Sequence, residues 1–158
     1  MPFNFYAVLV SALVTLVVGF VWYSPKVFGT IWMNETGMTE EKAKQSNMLK
    51  VFGLTILFSF MLAFIMPTIV IHQMGALGLF NGKVTDSGYV ELMKTHGDAF
   101  RTFKHGALHG FFAGLFIAFP ISAINSLFEQ KSLKYILITA GYWIVSMTIM
   151  GAIICGWK

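Results

Sequence analysis

The stretch VFGLTILFSFMLAFIMPTIVI, residues 51–71, decides the fold. It carries no charged side chain, and its apolar residues fall on both faces of any period-2 pattern, so it does not read as a half-buried strand. A bilayer core about 30 Å thick is crossed by about 20 apolar residues in helical form. In lipid the backbone must satisfy its own hydrogen bonds, which makes a run of this length a helix. Three more uncharged runs have the same character: Phe3 to Tyr23, Gly106 to Phe128 and Tyr135 to Trp157. The chain therefore reads as an all-α integral membrane protein. Residues 1–158 form one four-span domain, with short interfacial helices in the loops.

Composition agrees. Of 158 residues, 56% are hydrophobic and 11% charged, against about 25% charged in a soluble domain. The net charge of +4 is spread over loops and helix ends without a dense basic run, so nucleic acid is not an expected partner. Membrane lipid is, together with another membrane protein or a second copy of this chain. The lone cysteine, Cys155, excludes an internal disulfide. The N-terminal Met1-Pro2-Phe3-Asn4 lacks Lys and Arg, and no small-residue cleavage site precedes Trp22. The first run is therefore expected to be a retained span and not a leader.

The loops follow from local chemistry. Pro25 biases Ser24 away from helical geometry and ends the first span. Val27 to Met33 is short, apolar and aromatic, which suits the interface. Trp22, Tyr23, Trp32 and Trp157 are the expected headgroup-level anchors. Thr39 before Glu40 and Glu41 reads as a helix N-cap. No Pro or Gly intervenes before Phe52, so the second helix is expected to start there and reach about 48 Å at 1.5 Å per residue. Tyr89 to Thr95 is a candidate short helix. Glu129 to Ser132 is a tight connection, which makes spans three and four antiparallel neighbours. Loops one and three carry Lys26, Lys42, Lys44, Lys50, Lys131 and Lys134; the other side carries Lys83, Lys94, Arg101, Lys104 and Lys158. That difference leans loops 24–50 and 129–134 toward the cytoplasm.

Span three carries the main candidates. Gly106, Gly110 and Gly114, continued by Ala118, form overlapping GxxxG motifs that let another backbone approach, within the protomer or between protomers. His105 and His109 are four apart on one face. His72 ends span two and His96 lies in loop two, so all four histidines share one side of the membrane. Two histidines at this spacing chelate transition metals, with His96, Asp98 or Glu91 as further ligands. Histidines from two helices also hold haem. Ordinary interfacial hydrogen bonding satisfies the same pattern, and no cofactor is named by the sequence. Pro120 is expected to kink span three. Asn125 and Tyr142 are expected to hydrogen-bond across spans three and four, near Gly141. Every charged residue falls outside the four runs, which counts against ion-coupled transport. No GxSxG, Walker or GxGxxG motif is present.

Two blocks resemble a known family. Gly19-Phe20-Val21-Trp22-Tyr23-Ser24-Pro25-Lys26-Val27-Phe28-Gly29, followed by Trp32-Met33, is similar to the first block of a bacterial membrane family, domain of unknown function family 1761. Asn125 to Glu129, Lys131 to Lys134, Ala140 to Trp143 and Met150 to Ile153 resemble its C-terminal block. The resemblance implies a small four-span protein, placed in the bacterial cytoplasmic membrane, and supplies no reaction or catalytic residue. The histidine-bearing segment lies outside it. Taken together, the sequence points to a non-enzymatic accessory subunit or small homo-oligomer acting through its glycine face. A metal or haem protein built on the histidines is the alternative, and a small permease or channel the third reading.

Overall fold

The computed structural model describes residues 3–158; Met1 and Pro2, on which part of the leader argument rests, lie outside the described residues. The protein is 78% helical without strands among the described residues. Four helices are long and apolar enough to cross a membrane: Phe5–Trp22, Met48–Val70, Phe103–Phe128 and Leu133–Gly156. Shorter helices cover Gly29–Thr36, Glu40–Lys44, His72–Leu79 and Ser87–His96. Side chains such as Phe20, Phe58, Met61, Phe116 and Phe128 stand exposed on the outer surface, where a bilayer is their natural solvent.

Side-chain caps set most helix starts. Asn4, Asn47, Thr102 and Ser132 each accept a backbone N–H of the first turn of their span, which satisfies one of the orphan donors of a helix N-terminus. Asn47 corrects the expected long second helix: the Glu40 helix stops at Lys44, and Asn47 starts a new one at Met48. Asn47 breaks the helix because its amide competes for the backbone, a signal that the absence of Pro and Gly concealed. Thr102 starts span three at Phe103 and brings Lys104 into its first turn; Lys50 and Lys134 likewise lie in the first turns of spans two and four. Span two ends at Val70, Ile71 is extended, and His72 opens the following helix instead of closing the span.

Pro120 acts one turn upstream. Its ring clashes with the carbonyl of residue i−4, Phe116, and it offers no N–H. Span three answers with a π-helical segment over Gly114–Ala118 before α-helical geometry resumes at Phe119, the widening that such a lost bond favours.

Span four is the centre of the bundle, with Ile136, Ala140, Met147, Met150 and Ile154 buried. Its closest partner is span three. A Cβ built on Gly106 would stand 2.1 Å from the Gly151 carbonyl oxygen, one on Gly110 2.2 Å from that of Met147, and one on Gly114 2.6 Å from Ile144 Cα. The glycine row is thus filled from within the chain, backbone against backbone. Ala118 is half-buried at the edge of the same core. Asn125 is exposed and takes no part. The expected Asn125–Tyr142 bond does not form, because Tyr142 turns toward span one and its hydroxyl donates to the Thr15 carbonyl at 2.9 Å. Gly141 meets the Trp22 ring and not span three.

The same side of span four corrects the anchor assignment. Trp22 is half-buried and its Nε1 donates to the Ile138 carbonyl at 3.0 Å. Tyr23 packs between Trp32 and Tyr142, each ring centroid 5.4 Å away. These aromatics join helices to one another; Trp157 is the anchor that stays exposed. The Gly29–Thr36 helix is tied down by Glu35, which accepts from the Ser132 hydroxyl and pairs with Lys134 at 3.4 Å.

Gly110→Val should destabilise the protein by about 1–3 kcal/mol through overpacking, read from unfolding in detergent. Gly53→Ala, where an added Cβ meets nothing within 4 Å, should be neutral or gain up to about 1 kcal/mol from helix propensity. The Ser132 hydroxyl, aided by Lys134, holds the Glu35 carboxyl below its ordinary range. A depressed carboxylate stabilises above its unfolded pKa, near 4.3, and the contribution is lost as pH falls through the lower folded value. The acid limb of the stability–pH curve should therefore be shallower in Glu35→Gln.

Candidate metal centre

Two breaks in helical structure, at Ile71 and over residues 97–102, converge at the loop-two end of the bundle. Ile71 turns the chain out of span two and sets His72 on the first turn of the next helix. Gln73, buried one residue on, donates from Nε2 to the carbonyls of His96 (2.7 Å) and Ala99 (3.0 Å), clamping the end of loop two to that helix. Phe100 then adopts a left-handed backbone, φ 62°, which is costly for a bulky residue. Arg101 is buried, and its Nε donates to the Cys155 carbonyl at 3.0 Å, capping one of the last carbonyls of span four. Thr102 follows and begins span three, with His105 in its first turn and His109 one turn deeper.

The result is a three-histidine cluster. Nε2 of His72 and Nε2 of His105 are 2.8 Å apart. Ring centroids lie 4.9 Å apart for His72–His105, 5.1 Å for His72–His109 and 4.5 Å for His105–His109. One ring nitrogen from each histidine lies within 4.8 Å of the others. Around a zinc ion with bonds of about 2.0–2.1 Å, tetrahedral donors stand about 3.3 Å apart, so small ring rotations suffice. The Phe100 ring lies against His72 and His105, with centroids 5.4 and 5.1 Å away, and shields one side. His72 is exposed and the other two half-buried, so the centre is reachable from the loop-two face. A cavity of about 330 Å³ adjoins it, lined by His72, Gln73, Leu92, Met93, His96 and Phe100.

The other sequence-expected ligands lie outside the three-nitrogen set. His96 meets this region through its carbonyl. Asp98 pairs with Lys158 at 3.0 Å and Glu91 with Lys94 at 3.0 Å. The donor set is therefore three neutral imidazoles, which suits zinc, copper, nickel or iron and leaves the ion's charge uncompensated. Haem fits poorly, because imidazoles with nitrogens 2.8 Å apart leave no slot for a macrocycle between them. Phe100 was missed by sequence reading, and no local signal marks a phenylalanine for the left-handed region.

No curated protein and no solved structure matches the chain. A family model does, over residues 6–155, from the first turns of span one to the last turn of span four. With that match reaching across all four spans and covering nearly the whole chain, the chain belongs to the family described as "protein of unknown function (DUF1761)".

Proposed function

We propose that this is a membrane protein that binds a divalent transition metal through His72, His105 and His109. The observation carrying this reading is the convergence of three imidazole nitrogens within 4.8 Å from two separate helices. Three protein ligands leave a fourth position for water or a small donor molecule, and the adjoining cavity gives that molecule room. The helix dipoles at the start of span three and at the start of the His72–Leu79 helix each oppose a cation by about 0.3–1 kcal/mol. The C-terminal end of span two, just before His72, works in the opposite sense. With loops one and three on the cytoplasmic side, as the lysine distribution favours, the centre opens on the opposite face.

The glycine row, which motivated the accessory-subunit or homo-oligomer reading, is covered by span four and lends no further weight to a contact outside the chain. The metal reading therefore replaces it as the leading proposal.

The purified protein should bind about one equivalent of Zn²⁺, measured by elemental analysis after dialysis. Co²⁺ should give visible d–d bands of a nitrogen-ligated site. A free Zn²⁺ concentration a hundred times Kd should raise stability by about 2.7 kcal/mol. A His105→Ala, His109→Ala variant should lose all three responses, and His96→Ala should keep them. Failure of the wild type to bind, or equal loss in His96→Ala, would overturn the proposal.

A further inference from the structure

At the other end of the bundle, spans one and two separate. Near mid-membrane they are joined: the Thr15 and Ser59 hydroxyls hydrogen-bond while buried, and toward the loop-two end Phe5, the first residue of span one, meets Phe60 edge-on at 6.4 Å. From there to loop one they diverge and enclose a lateral groove of about 1030 Å³. Its walls are apolar, with Val17, Phe20 and Val21 on one side and Val51 and Phe52 on the other. Tyr142 from span four forms the floor beside Gly19, where an added Cβ would stand 3.6 Å from its ring. Tyr23, Ser24 and Pro25 line the loop-one mouth.

We infer that this groove holds one anionic phospholipid, its acyl chains between spans one and two and its phosphate held by Lys26 and Lys50. Dimensions choose a lipid over a helix of a second copy. From Thr15 to Tyr23 the groove runs about 12 Å at 1.5 Å per residue, close to the half-thickness of about 15 Å that one leaflet fills. The Thr15–Ser59 bond closes it at that depth, so a chain ending at the midplane fits and a spanning helix does not. Its volume also lies at the top of the range of about 300–1,000 Å³ for ordinary small-ligand sites.

Charge selects the headgroup. Lys26 follows the lining residue Pro25, and Lys50 precedes the lining residue Val51. Among the described residues, neither lysine pairs with a carboxylate, whereas Lys44 pairs with Glu40 and Lys134 with Glu35. Each of these two lysines thus adjoins a residue of the groove and has no carboxylate partner, and each would gain roughly fivefold in affinity at an anionic surface.

The test uses the full-length protein in mild detergent, with phosphatidylglycerol, phosphatidylcholine or inorganic phosphate added. Bound lipid is counted by native mass spectrometry. The wild type should retain one phosphatidylglycerol, preferred over phosphatidylcholine by about twentyfold, and no free phosphate. Lys26→Gln, Lys50→Gln should abolish the preference, and Lys83→Gln, at the opposite end, should keep it. Val51→Trp should block both lipids by filling the groove. Equal binding of the two lipids by wild type, a preference that survives Lys26→Gln, Lys50→Gln, or phosphate binding alone would overturn the assignment. So would a dimer that Val51→Trp dissociates, since the groove would then belong to a second copy. None of these readouts depends on the histidine centre.

Discussion

Between Gly106 and Gly151 the backbones of spans three and four meet with no side chain between them. A Cβ on either glycine would fall 2.1–2.4 Å from the other's carbonyl oxygen. In lipid there is no hydrophobic force to draw helices together, so close van der Waals contact, and the Cα–H···O contacts it permits, must hold them. This contact also fixes the register of the bundle. It sets Cys155 and the end of span four beside the start of span three, where Arg101 reaches the Cys155 carbonyl. It thereby fixes the chain just before Thr102, and with it the positions of His105 and His109. Spreading these two helices would move the histidines before it exposed any charge.

Polarity in this molecule is rationed by position. Inside the bundle polarity is carried mainly by hydroxyls, some of which bond helix to helix, as Thr15 does with Ser59 and Tyr142 with the Thr15 carbonyl. Ions gather at the ends: Glu35 with Lys134 at one, Asp98 with Lys158 at the other. The histidines stand at the boundary between the two regimes. A neutral imidazole tolerates partial burial where a carboxylate would not, so a metal site on this scaffold is naturally nitrogen-only.

Much of the fold was legible because span length is imposed by the bilayer and not by subtle contacts. Four uncharged runs led to four helices, and the small-residue row on span three pointed to close helix contact. What escaped was set by competition at single residues or by distant partners. Asn47 broke a helix that nothing else in Glu40 to Phe52 would break. Trp22 and Tyr142 look like an interfacial anchor and a span-four hydroxyl until their partners, the Ile138 and Thr15 carbonyls, are known. At the candidate site, the pairing of His105 with His109 follows from helical spacing. The arrival of His72 required the extended Ile71, and the exclusion of His96 required the Gln73 clamp. Neither has a sequence signature.

The two candidate sites occupy opposite ends of the bundle for one geometric reason. Span four is central and touches the other three, so it holds them together in mid-membrane and cannot do so equally at both ends. At the loop-one end spans one and two part around Tyr142, and the gap faces lipid. At the loop-two end span two stops at Val70 and span three starts at Phe103, so the intervening chain folds back over the bundle and is pinned by Gln73 and Arg101. The strained Phe100 joins these two pins. A left-handed phenylalanine persists only where its surroundings over-determine it, and here the surroundings are His72, His105 and the end of span four. The strain thus falls on the residue whose ring covers the imidazoles, which links the backbone of loop two directly to the geometry of the histidine cluster.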